Sequence, residues 1–105
     1  GVYLGGALYH VPIVIDGIIS AVAALCAEKM FSGAVDYMIP SHMSQEPATR
    51  GIMKELGLSP IIDGNLCLGE GTGAVLLFPM LDMALRVYDA NTTFEDIQVG
   101  QYERY

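Results

Sequence analysis

Three short stretches of this chain carry residue types that can do chemistry. They are Asp16-Gly17, Ser41-His42-Met43-Ser44 and the glycine-rich run LGEGTGA at 68–74. Glycines at 69, 71 and 73 remove side chains from alternate positions, so the backbone can approach a ligand closely. The N–H groups at the start of a following helix favour an anion or a carboxylate. The run matches neither the dinucleotide fingerprint GxGxxG nor the P-loop. Glu70, a carboxylate set between glycines, is the unusual element. A loop that cradles phosphate gains nothing from a negative charge there, whereas a loop that presents a general base to a neutral heterocycle does. The alternative is structural, with Glu70 capping the helix and the glycines making a tight turn. Asp16 has a similar alternative as N-cap of the helix that follows it. Ser41 and Ser44 can cap the next helix or offer hydroxyls to a ligand. His42 and His10 read as structural hydrogen-bonding residues, and the methionines as core.

These stretches need elements to hold them. Residues 10–16 (HVPIVID) form a β-branched apolar run without alternation, as in a central parallel strand buried on both faces. A helix is expected from Ile18 to about Met30. Ile19, Val22, Ala23, Cys26 and Ala27 make it apolar on nearly every side, so extensive cover is expected. Residues 37–40 read as a second strand, followed by SHMS at its carboxyl end. Pro47 opens a helix at a position where its missing N–H costs little. Glu46 and Arg50 have the spacing of an i,i+4 pair, and Gly57 suits the C′ position with Leu58 folding back. Residues 60–63 are a third strand or an extended connection. A long apolar helix then follows Gly73, with Leu76, Met80, Met83, Ala84 and Val87 on one face and Pro79 expected to kink or split it.

The order strand, helix, strand, helix belongs to α/β folds with right-handed parallel crossovers. In such sheets ligands bind at the carboxyl ends of the strands, where all three chemical stretches fall. The predicted fold is α/β: part of a three-layer α/β/α arrangement with a mainly parallel sheet and a helix-rich C-terminal portion. Two or three apolar strands need neighbours, and residues 1–9 read as the end of an element. The 105 residues are therefore expected to be one portion of a larger protein, with 91–105 a polar tail anchored by Phe94 and a frayed QYERY end.

Composition narrows the function. The chain is 52% hydrophobic and 16% charged, with a formal net charge of −7. Five Lys and Arg residues cannot build the basic stripe that nucleic acid requires. The apolar run at 11–27 is broken by Pro12 and Asp16, and it is too short to span a bilayer. It also lacks the flanks of a signal peptide. Cys26 and Cys67 have no metal or CxxC spacing, so two reduced, buried thiols in a cytoplasmic protein are expected. No cofactor and no metal are expected.

The segments GGALYHVPIVIDGIIS, DYMIPSHMSQEP, LGLSPIID, LGEGTGAVLLFPMLDMAL and TTFED occur in order over nearly the whole chain. Together they resemble the C-terminal part of the nicotinate-nucleotide:dimethylbenzimidazole phosphoribosyltransferase family. The resemblance implies transfer of the 5-phosphoribosyl group from nicotinate mononucleotide to 5,6-dimethylbenzimidazole in cobalamin biosynthesis. The products are α-ribazole 5′-phosphate and nicotinate. It also implies Glu70 as general base, with Asp16, Gly17, Ser41, Ser44, Leu68, Gly69 and Gly71 around the substrates. A homodimer without nucleic-acid or membrane partners is expected. Where the family often has Arg, this chain has Met43 and Cys67; where it often has Phe, this chain has Ile18; and Ala48-Thr49 replaces Gly-His. These departures bear on phosphate contacts and on the choice of acceptor base. The portion expected to supply most of the phosphate cradle lies outside the chain, which implies an inactive fragment. Other readings are a related transferase with another aromatic acceptor, or a non-catalytic α/β interaction module.

Overall fold

The computed structural model describes residues 1–90. Its elements are α1 (Val2–Tyr9), β1 (Ile13–Ile15), α2 (Ile18–Met30), a 3-10 turn (Ala34–Tyr37), β2 (Met38–Pro40), β3 (His42–Ser44), α3 (Pro47–Leu56), β4 (Ile62–Leu66) and α4 (Thr72–Ala90). Both strand pairs are parallel. Ile13, Val14 and Ile15 register with Met38, Ile39 and Pro40, and His42 and Ser44 register with Ile62 and Leu66. Parallel neighbours need a crossover; α2 supplies one and α3 the other. The expected α/β fold with a parallel sheet is what the chain adopts.

Ser41 joins the two pairs. Its N–H and its hydroxyl both donate to the Ile15 carbonyl, at 3.0 and 2.7 Å, and its own carbonyl accepts the Ile62 N–H at 3.2 Å. Residues 38–44 thus run as one extended segment that passes from β1 to β4 as partner. The SHMS stretch, expected at the carboxyl end of the second strand, is itself largely strand β3 for this reason. Residues 2–9 form helix α1, which ends at His10 in the left-handed region at φ 57°. Gly6 lets α1 lie on β1: a Cβ there would fall 2.5 Å from Ile13 Cγ1.

The core shows how small residues set the spacing. Ala21, Ala24 and Ala27 form the buried face of α2, and they meet Met53 and Leu56 of α3 together with Tyr3, Ala7, Ile15, Ala34 and Met38. The two cysteines lie off this face, and both are exposed and free, contrary to the burial expected. Cover is also less complete than the apolar sequence of α2 suggests, since Ile19 is 86% exposed. In α4 only Gly73 and Leu77 are buried; Leu76, Met80, Met83, Ala84 and Val87 all face outward. Pro79 lies inside α4 without splitting it.

The ends of α3 follow local chemistry. Pro47 opens it, Gly57 closes it at φ 69°, and the Leu58 N–H returns to the Met53 carbonyl at 2.9 Å. Glu46 is the N-cap without a side-chain cap bond, so neither Ser41 nor Ser44 caps this helix. Arg50 faces Asp63 at 3.6 Å, in place of the expected Glu46. The strand-side position of Asp63 brings it across the β3–β4 ladder to the helix. Phe94 and the QYERY end lie outside the described residues.

One carboxylate holds the turn after α2. Glu28 accepts the N–H groups of Gly33, at 3.0 Å to Oε1, and of Val35, at 2.8 Å to Oε2. Those bonds hold its pKa below the ordinary carboxylate value. With the unfolded value near ~4.3, the stabilisation is present above that pH and is lost as pH falls through the folded value. Glu28→Gln is therefore expected to lower the urea midpoint at pH 7, with the difference from the native chain shrinking as pH falls towards 3. A midpoint difference independent of pH would contradict the role of the charge.

Candidate active site

The last residue of β1's strand line is followed by Asp16, and its carboxylate decides how the glycine-rich turn is held. Oδ2 accepts the Gly71 N–H at 3.2 Å, and Oδ1 accepts the Ala74 N–H at 2.9 Å. Asp16 is thus the cap of α4, some 55 residues away, and not of α2. The α2 start is served differently: Ser20 Oγ accepts the Asp16 N–H at 2.9 Å and donates to the Gly17 carbonyl at 2.7 Å. A carboxylate at a helix N-terminus satisfies N–H groups that have no intrahelical partner and complements the positive end of the dipole.

Because Asp16 fills the capping position, Glu70 does not. Glu70 and Gly71 take left-handed backbone angles, φ 57° and φ 80°. The turn closes through Thr72 N–H to Gly69 O at 3.1 Å and Val75 N–H to Gly71 O at 3.0 Å. A left-handed conformation is ordinary for Gly71 but costs Glu70 roughly 1 kcal/mol or more. Strain of this kind at a non-glycine residue points to a purpose for its side chain. Among the described residues no hydrogen bond engages the Glu70 carboxylate, which is exposed and faces an open cleft of about 630 Å³.

This cleft brings together Asp16, Gly17, Ser44, Leu68, Gly69 and Glu70. Ser41 and Gly71 do not line it: Ser41 is fully buried with its hydroxyl on Ile15, and Gly71 contributes its N–H to Asp16. The walls add residues that were not among the expected substrate contacts. Val2 and Tyr3 come from α1, Ile13 and Val14 from β1, Ile18 and Ile19 from α2, and Glu46 from the start of α3. Tyr3 carries no local signature, and only the return of α1 over β1 places it here. Burial pushes its hydroxyl above the usual phenol pKa, and the Asp16 charge acts in the same direction.

The chemistry follows from this lining. Apolar side chains from α1, β1 and α2 make a surface suited to a flat hydrocarbon-rich ring. Asp16, Glu46 and Glu70 give the cleft a negative character, and among the described residues no Lys or Arg side chain lines it. A phosphate is poorly served by such a wall, whereas a neutral heterocycle with an N–H, or a centre gaining positive charge, is well served. Glu70 is the one of the three carboxylates whose backbone is strained to present it.

Asp16 should matter even though its oxygens are already engaged. Asp16→Ala removes two charge-assisted bonds and is expected to cost about 1–3 kcal/mol. Amide exchange at Gly71 and Ala74 should accelerate before that of the β1–β2 ladder. Unchanged protection at both amides would show that the turn does not depend on this carboxylate.

Comparison with known proteins fits this geometry. A family model described as phosphoribosyltransferase matches residues 1–99. A nicotinate-nucleotide–dimethylbenzimidazole phosphoribosyltransferase of Clostridium acetobutylicum is 48% identical over 103 residues, covering 98% of this chain and 29% of that protein. Its counterpart in Acetivibrio thermocellus is 44% identical over the same length, again 98% of this chain and 29% of the relative. The crystal structure of the Thermus thermophilus enzyme of that name superposes with a TM-score of 0.87 at 41% identity, covering 97% of this chain and 31% of that one. The chain thus spans about 29% of the length of the curated relatives it matches. With the family model matched over residues 1–99 and the fold shared with a solved member, the chain belongs to this phosphoribosyltransferase family.

Proposed function

We propose that these 105 residues are the base-carrying C-terminal portion of an enzyme that transfers the 5-phosphoribosyl group of nicotinate mononucleotide to 5,6-dimethylbenzimidazole. The products are α-ribazole 5′-phosphate and nicotinate, and the step belongs to cobalamin biosynthesis. The observation that carries the reading is the carboxylate of Glu70, without a partner among the described residues and held on a left-handed turn at the mouth of a largely apolar cleft.

In the reaction one benzimidazole nitrogen bonds to the anomeric carbon as the bond to the nicotinate nitrogen breaks. The leaving pyridinium becomes a neutral ring. The acceptor gains positive charge and must shed the proton on its other nitrogen, which passes to Glu70. The apolar walls, with Leu68 beside the turn, seat the ring, and the carboxylates favour the oxocarbenium character of the sugar. Phosphate grips are supplied by the rest of the enzyme, consistent with a cleft that no Lys or Arg among the described residues lines and with the 29% span. Ser44 is the hydroxyl of this chain best placed to meet the sugar or its phosphate.

A second reading, a related transferase with another aromatic acceptor, is favoured by one residue. Ile18 lines the cleft where the family often places Phe, so the ring pocket has a different wall. The enzyme is further proposed to act as a homodimer in the cytoplasm. Outward apolar residues on α2 and α4 support association, and two exposed free thiols fit a reducing compartment, a placement that cell fractionation checks. No helix among the described residues is long and apolar enough to cross a membrane.

The intact enzyme, given nicotinate mononucleotide and a mixture of dimethylbenzimidazole, adenine and a phenol, should release nicotinate and form chiefly the benzimidazole product by mass. Glu70→Gln should lower kcat by roughly 10²-fold or more, while the 105-residue chain alone should show no turnover. Normal turnover in Glu70→Gln would remove the general base, and a dominant adenine or phenol product would favour the second reading. In sedimentation the intact enzyme should run as a dimer; a monomer at high concentration would refute the association.

A further inference from the structure

Behind the Glu70 turn lies a buried side chain to which the reaction above gives no role. His42, on β3, is 1% exposed. Its Nδ1 lies 3.0 Å from Ser41 Oγ, and Ser41 directs its only hydroxyl proton to the Ile15 carbonyl. The serine oxygen must therefore accept, which puts the imidazole proton on Nδ1. Nε2 is left buried without a partner among the described residues. A ring with an unsatisfied buried nitrogen is a poor way to fill a core position for stability alone.

The ring's contact explains its presence. A Cβ on Gly73 would fall inside the van der Waals surface of His42 Nδ1 and Cε1, and 2.9 Å from Asp16 Oδ1. The imidazole is thus pressed against the first turn of α4 at the point where Asp16 pulls on the Gly71 and Ala74 N–H groups. Asp16 draws the turn in, and His42 stops it. Between them they fix how far α4 stands from the sheet, and with it the position of the left-handed Glu70 three residues before Gly73.

We propose that His42 is a positioning residue for Glu70, acting as the steric stop against Gly73 that sets the carboxylate's distance from the acceptor ring. The proposal rests on the reading of Glu70 as general base. A catalytic group displaced by about 1 Å can lose on the order of 10²-fold in rate, whereas substrate binding, made largely by other groups, need not change. The same ring explains why position 73 is glycine in this run, a requirement separate from the left-handed backbone of Gly71.

The test uses the intact enzyme with nicotinate mononucleotide and dimethylbenzimidazole, comparing Glu70→Gln, His42→Ala, His42→Asn, Gly73→Ala and the double variant His42→Ala/Gly73→Ala. His42→Ala and Gly73→Ala should each lower kcat by about 10- to 100-fold with KM for nicotinate mononucleotide within about twofold. The acidic limb of kcat against pH, where the general base takes up its proton, should move in both. His42→Asn keeps a donor to Ser41 but not the ring, so it should lose kcat like His42→Ala, and it serves if the alanine variant does not fold. In the double variant a methyl at 73 occupies space the ring has left, so kcat should exceed that of Gly73→Ala alone. Inactive Glu70→Gln alongside His42 variants of native kcat, or additive losses in the double variant, would overturn the positioning role and leave the base intact. Native turnover in Glu70→Gln would instead remove the base and the positioning role together.

Discussion

The bond pair from Asp16 to the Gly71 and Ala74 N–H groups is the interaction on which the rest of the site depends. It ties the end of the first strand to the start of the last described helix, two points far apart in the chain. Without an acceptor there, the first turn of α4 would leave N–H groups facing a half-buried surface. With one, the capping position is filled from outside the turn, and the carboxylate within the turn is released for other work. A single acidic residue thus separates structure from chemistry in a run that contains only one acid of its own.

The surrounding packing serves the same end. Gly6 allows α1 to lie against Ile13, which brings Tyr3 and Val2 to one wall of the cleft. The alanine face of α2 sets that helix close to the core, so its first turn forms a second wall. Ser41 carries the extended segment from one strand partner to the next, and this places His42 beneath Gly73 and Ser44 at the cleft. The resulting surface is apolar at its sides and acidic at its rim. Such a site favours an aromatic ring and developing positive charge.

The incompleteness of the described fold is itself physical. Long apolar side chains of α4 face outward, as do Ile19 and Val22 of α2. An isolated domain of this size rarely leaves so much apolar surface uncovered. The match to about 29% of the relatives' length accounts for missing neighbours without any further assumption.

Much of this was legible in the order of residues. The unbroken β-branched run at 13–15 indicated a parallel strand, the short apolar run at 38–40 a second strand, and Pro47 and Gly57 bracketed α3. These are local properties: backbone freedom, missing N–H groups and side-chain periodicity act within a few residues. What the order of residues left open was which acid caps which helix, because Asp16 and Glu70 are equally plausible caps until the chain is folded. The same holds for Arg50, which meets Asp63 across the ladder and not its neighbour along the helix, for the exposed cysteines, and for Tyr3 and Glu46 in the cleft. Each depends on contacts between residues distant in the chain, and only the tertiary structure, by bringing β1, β3 and the α4 turn together, decides them.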